Sequence, residues 1–244
     1  MLRGLLTAIA LLSRVPVPIT MEAADLPRSP PYFAVVGLLL GGPCLLLAQL
    51  KPLLGSPVTA VLVTGYLAAV TGGLHLDGVA DVCDGMGGGR GDPQRTLEVM
   101  RDPRVGAHGV VGLCLLLLGK CALLARCLDT GLDSALLLAP VCARASMVPL
   151  LTLPSARPGG LGDLVRPPHP HRATLINLLL VAFVIASNAP QLWFAPCGCL
   201  IAMAFLGRWA RRELGGISGD VLGATVEWAE LGFLFAAALG RASI

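Results

Sequence analysis

The sequence predicts an all-α fold: a polytopic integral membrane helical bundle of about seven transmembrane helices, preceded by an N-terminal interfacial or re-entrant helix. Three observations carry this. Of the 244 residues 55% are hydrophobic and only 14% are charged, whereas soluble domains carry about a quarter charged residues. Mean hydropathy is +0.77. Apolar stretches recur along the whole length and leave no segment to form a separate water-soluble core, so residues 1–244 read as one membrane domain.

The elements follow in order. The opening MLRGLLTAIALLSRVPVP is apolar but is broken by Arg14, Pro16 and Pro18, lacks a small-x-small cleavage site and is too short to span; an interfacial or re-entrant helix fits better than a signal peptide. A spanning helix needs about 20 mainly apolar residues, which places spans at about 32–50, 57–74, 105–127, 132–153, 173–190, 192–207 and 221–240. Short cytoplasmic loops collect Lys and Arg. With the N-terminus inside, Arg3, Arg14, Arg28, Arg90, Arg95, Arg101, Arg104, Arg157, Arg166, Arg172, Arg208, Arg211 and Arg212 fall inside, and only Lys51, Arg126 and Arg241 fall outside. That asymmetry predicts a multi-pass protein of the cell inner (plasma) membrane, with its N-terminus and its two long loops, 75–104 and 154–172, in the cytoplasm.

Chemistry concentrates on that face. In HLDGVADVCDG, residues 75–85, Asp77, Asp81 and Asp84 are spaced i, i+4, i+7. If the second span continues as a helix past Leu74, the three carboxylates share one stripe. Their repulsion makes sense if a divalent cation and a phosphate offset it, and carboxylate oxygens suit a hard ion such as Mg²⁺; the plainer alternative is a solvated acidic helix end. Gly78 and the glycines from Gly85 to Gly89 favour close backbone approach to a ligand. His75 reads equally as a base, a substrate contact or a packed ring.

In EVMRDPRVGAHG, residues 98–109, Asp102 joins Arg101 and Arg104, a potential ligand beside two phosphate clamps, although a positive inner flank would supply the same arginines. Asp220 opens the last span, with Glu227 and Glu230 inside it. Acids and bases at membrane depth, here Glu227, Glu230, Lys120 and Arg144, are functional or paired with one another. The cysteines lie in or beside apolar runs and predict no disulfide framework. The net charge of +3, with no basic block interleaved with aromatics, argues against a nucleic-acid partner.

Together, GGLHLDGVADVCDG, DPQRTLEVMRDPRVGAHG followed by Lys120, GGISGDVLGATVEWAE, the N-terminal LLSRVPVP and the ARPGGLG loop closely resemble the cobalamin synthase family, the adenosylcobinamide-GDP ribazoletransferases, over nearly the whole chain. The resemblance implies a Mg²⁺-dependent membrane enzyme that joins adenosylcobinamide-GDP to α-ribazole or α-ribazole 5'-phosphate and releases GMP. Ser218 stands where the family pattern carries Thr, and it keeps the hydroxyl. On this basis Asp77, Asp81 and Asp84 are expected to bind metal, and His75 and Asp102 to act in catalysis. Arg101, Arg104, Lys120, Arg144 and Asp220 are expected to hold substrate. The bilayer is a further partner, and a homo-oligomer is admitted.

Two other readings stay open: a phosphotransferase of the CDP-alcohol type acting on a lipid, and a cation transporter. Transport predicts acids near the midplane of several spans. Here the acids gather at one surface, which favours an enzyme.

Overall fold

The structure, a computed structural model, describes residues 1–240; Arg241, one of the three charges assigned to the outer side, lies outside the described residues. Among the described residues there are eleven α-helices and no β-strand. They are α1 (Leu2–Leu12), α2 (Phe33–Ala48), α3 (Lys51–Thr71), α4 (Leu74–Gly88), α5 (Pro93–Val99), α6 (Ala107–Asp129), α7 (Ser134–Leu150), α8 (Leu161–Leu164), α9 (Pro170–Asn188), α10 (Pro196–Glu213) and α11 (Gly219–Leu239).

Among the described residues six segments are long and apolar enough to cross a membrane: α2 and α10 with the short turns before them, α3, α6, α9 and α11. The expected span at 132–153 corresponds to α7, which is apolar but only 17 residues long. At about 1.5 Å per residue it falls slightly short of a hydrocarbon core about 30 Å thick. Its surroundings explain how that is tolerated: every residue from Ala135 to Val148 is buried. Wrapped by protein on all sides, α7 need not match the lipid thickness itself.

The core is built around α7 and α11. Helix α11 packs on α4, α6, α7 and α10, and α7 packs on α2, α9 and α11. The outer helices turn large apolar side chains away from the protein, among them Leu115 and Leu118 of α6, Leu179 and Phe183 of α9, and Ile201 and Phe205 of α10. A belt of exposed apolar surface is unfavourable in water and suits acyl chains. One buried amide staples α9 to the start of α2: Asn177 accepts the Ala34 N–H (2.8 Å) and donates to Pro30 O (2.9 Å).

Two expectations need correction. Residues 75–104, expected as a loop, contain α4 and α5. Nor does the second span continue past Leu74. Gly72 and Gly73 take φ of 63° and 72°, the left-handed conformation that ends a helix, and the chain then re-enters a separate helix packed mainly on α11 and α6. The spacing argument survives, since α4 is itself helical and carries Asp77, Asp81 and Asp84 on one stripe.

Candidate active site

The site forms where α4 crosses the start of α11, and glycine permits the crossing. A Cβ on Gly78 would stand 2.6 Å from the Asp220 carbonyl oxygen, so only glycine lets α4 lie this close. The contact sets Asp220 of α11 beside Asp77 and Asp81. Ser218 caps α11, its Oγ accepting the Val221 N–H (3.3 Å) and donating to Asp220 Oδ2 (3.2 Å).

Arg157 arrives from the loop after α7. A parallel bridge pins that loop: Ala156 N–H donates to Ile217 O and Ile217 N–H to Pro154 O, both 2.8 Å. Arg157 Nη1 then reaches Asp220 Oδ2 at 2.7 Å, and Nη2 reaches Leu97 O at 3.4 Å. The sequence reading used Arg157 only as an orientation charge. Its place inside ARPGGLG, an arginine next to paired glycines, was the available signal.

The electrostatics follow from crowding. Burial pushes the Asp81 carboxyl up to about 7, and the neighbouring Asp220, Asp77 and Asp84 push the same way against the pull of Arg157. Arg157 pairs with Asp220 and also offsets part of the crowding at Asp81. This donor set suits a hard divalent cation. Among the described residues no three His, Cys, Asp or Glu side chains converge into a ready metal cage, but Mg²⁺ binds through one or two carboxylates plus phosphate oxygens and water. Two of Asp77, Asp81 and Asp220 would meet that requirement.

Asp84 does not. Its two oxygens accept the Gly106 N–H (2.7 Å) and the Gly109 N–H (2.8 Å), satisfying free donors at the start of α6. A Cβ on Gly109 would lie 2.5 Å from Asp84 Oδ2, so glycine is needed there too. In this structure Asp84 is a cap that joins α4 to α6.

His75 is 2% exposed, and both of its ring nitrogens are buried without a hydrogen-bond partner among the described residues. Burial, helped by Arg144 and Lys120, lowers its pKa to about 3, so the ring is neutral. It borders a cavity of about 230 Å³ that Asp77, Arg157, Ser218 and Asp220 also line. A second, more open cavity of about 410 Å³ also borders Asp77, beside Arg14 and Gly72–Gly73.

The remaining expected residues lie elsewhere. Lys120 and Arg144, expected to hold substrate, are buried in an ion cluster with the acids of α11: Lys120 Nζ meets Glu227 Oε2 at 2.7 Å and Glu230 Oε2 at 2.5 Å, and Arg144 pairs with the other oxygen of Glu230. Two positive and two negative charges balance, which is the mutual pairing the sequence left open. Asp102, expected in catalysis, is clasped by Arg104, which donates to its Oδ1 (2.9 Å) and Oδ2 (2.6 Å). That fork holds its carboxyl down at about 2. Arg101 and Arg104 are exposed and line neither cavity.

An all-helical membrane protein with crowded carboxylates, a guanidinium and a neutral imidazole around one cavity belongs to the class of membrane-embedded enzymes that handle phosphate esters. Residues 4–238 match the family described as cobalamin-5-phosphate synthase, and the chain belongs to that family. It is 41% identical to the adenosylcobinamide-GDP ribazoletransferase of Pseudomonas aeruginosa PAO1, with 98% of each chain covered. The enzyme of the same name from Pseudomonas paraeruginosa PA7 is 40% identical over 98% of each chain. That from Laribacter hongkongensis HLHK9 is 38% identical, over 97% of this chain and 96% of its own. No solved structure gives a significant match.

Proposed function

We propose that this protein transfers the adenosylcobinamide phosphate moiety of adenosylcobinamide-GDP to α-ribazole or its 5'-phosphate. GMP leaves, and adenosylcobalamin or its 5'-phosphate forms. The observation that carries the reading is the crowding of Asp77, Asp81 and Asp220 around Arg157, in a chain about 40% identical over its full length to enzymes of that name.

The reaction is a displacement at phosphorus. The ribose hydroxyl oxygen forms a bond to the corrinoid-linked phosphorus, the bond from that phosphorus to the bridging oxygen breaks, and GMP departs with that oxygen. The hydroxyl proton passes to a carboxylate or water. Mg²⁺, held by Asp77 and Asp81 with Asp220 in support, would neutralise charge on the diphosphate oxygens. Arg157, paired with Asp220 at this cluster, offers its planar fork to a substrate phosphate oxygen. His75, being neutral, offers one donor and one acceptor and orients the attacking hydroxyl. Its low basicity makes it a poor proton sink, so it serves by position. Asp102, Lys120 and Arg144 have no part in this scheme.

The site faces the cytoplasm of the inner membrane in this reading, supported by the bias of thirteen arginines to one side. The test is direct: purified protein, adenosylcobinamide-GDP, α-ribazole 5'-phosphate and Mg²⁺, with GMP measured. Folded protein that releases no GMP refutes the proposal.

A further inference from the structure

Asp77 and Leu74 line both cavities, so the first turn of α4 borders two spaces of different character. Resting on the transfer proposed above, we infer that the two substrates reach Asp77 through these two spaces. The aromatic riboside acceptor enters the smaller cavity, and the diphosphate of the corrinoid donor lies in the groove beside Arg14.

Size decides which substrate goes where. The smaller cavity holds about 230 Å³, below the roughly 300–1,000 Å³ of pockets for drug-sized ligands. A flat bicyclic base is compact enough for such a space. A corrin macrocycle with its peripheral amides is far too large. The groove is more open, so a diphosphate can lie in it while the macrocycle stays outside.

Chemistry agrees. Leu12, Phe33, Met147, Val165 and Leu222 make one part of the cavity apolar, suited to an aromatic base. The other part holds polar atoms left without partners: both ring nitrogens of His75, and Nε of Arg157. Buried polar atoms without partners are unfavourable unless a ligand supplies them. Ribose hydroxyls both donate and accept, which is what a neutral imidazole needs, and a 5'-phosphate suits the guanidinium. The groove offers a different set. Arg14 is exposed and has no ion pair or side-chain hydrogen bond among the described residues, while its backbone N–H is anchored on Val70 O at 2.7 Å. A tethered, unpaired guanidinium beside the bare backbone of Gly72 and Gly73 is a phosphate contact in waiting. One N-terminal segment serves both spaces, since Leu11 and Leu12 line the cavity and Arg14 the groove.

The test is a crossed pair of variants in protein reconstituted in lipid nanodiscs. Leu161→Trp, at a partly exposed position on the cavity wall, should raise KM for the riboside about tenfold or more and leave KM for the corrinoid donor within about twofold. Arg14→Gln should do the reverse, raising donor KM roughly tenfold without moving riboside KM. Equilibrium dialysis of α-ribazole with no donor present should show weaker binding to Leu161→Trp and unchanged binding to Arg14→Gln. If Leu161→Trp does not accumulate, Gly223→Ala narrows the same wall by one methyl group against His75, with a smaller shift in the same direction. Equal shifts in both constants, or the opposite pattern, overturn the partition while leaving the transferase reading intact. Failure of the wild-type protein to release GMP overturns both.

Discussion

Asp81 shows most directly what the site is built to do. Its carboxyl is raised to about 7 by burial and by three neighbouring acids, so without a cation the folded protein holds a proton there that the unfolded chain has released. Between the ordinary value of 3.8 and about 7 the folded state binds more protons, and stability falls as pH rises through that window. In EDTA the melting temperature should therefore drop between about pH 4 and about pH 7. Asp81→Asn should flatten that dependence and melt higher than wild type at neutral pH, while losing activity; an unchanged pH slope in the variant would falsify the crowding argument. Arg157 is the matching cation. Arg157→Lys keeps the charge but loses the planar fork, and kcat/KM should fall roughly a hundredfold. If Arg157→Lys keeps wild-type turnover, then Arg157 only props up Asp220.

Among the elements, α4 and the ion cluster between α6, α7 and α11 divide the labour: one carries chemistry, the other cohesion. Removing a single charge from a buried balanced cluster leaves another uncompensated, at about 3–5 kcal/mol. Lys120→Met should therefore lower the yield of folded protein sharply, and Lys120→Met with Glu227→Gln should recover most of it, because the double variant again balances Arg144 against Glu230. A double variant no better folded than the single one contradicts the charge-balance account. Asp84→Ala should cost about 1–2 kcal/mol through two lost bonds to the start of α6, seen as faster amide exchange at Gly106 and Gly109. The spans were legible because bilayer thickness sets their length and hydropathy. Helix α4 was not, because its glycines read as a loop and only their contacts, Gly78 with α11 and Gly85 to Gly89 with α5 and α6, show them to be packing residues. The acidic stripe was legible from spacing alone, yet the role of Asp84 was not, since its partners lie 22 and 25 residues away in sequence.

For the whole molecule, the helix connections tie the acidic site to one side of the membrane. The end of α1 meets the end of α3 through Arg14 N–H and Val70 O, and the end of α7 meets the start of α11 through the Ser155–Ile217 bridge. The far ends of α3 and α6 join separately, where Lys51 Nζ donates to Leu128 O at 2.6 Å. The arginine-rich connections belong with the first group, and Lys51 and Arg126 with the second. Because short arginine-rich loops stay in the cytoplasm, the site is expected to open on the cytoplasmic side. Gln94 in α5 and Gln191 between α9 and α10 are both exposed, on connections that this arrangement assigns to opposite sides. With wild-type protein as the control for its native thiols, Gln191→Cys in intact spheroplasts should react with a membrane-impermeant maleimide, and Gln94→Cys should react only after lysis. Reversed labelling would put the acids outside the cell, away from any cytoplasmic nucleotide, and the proposed reaction could not run as described.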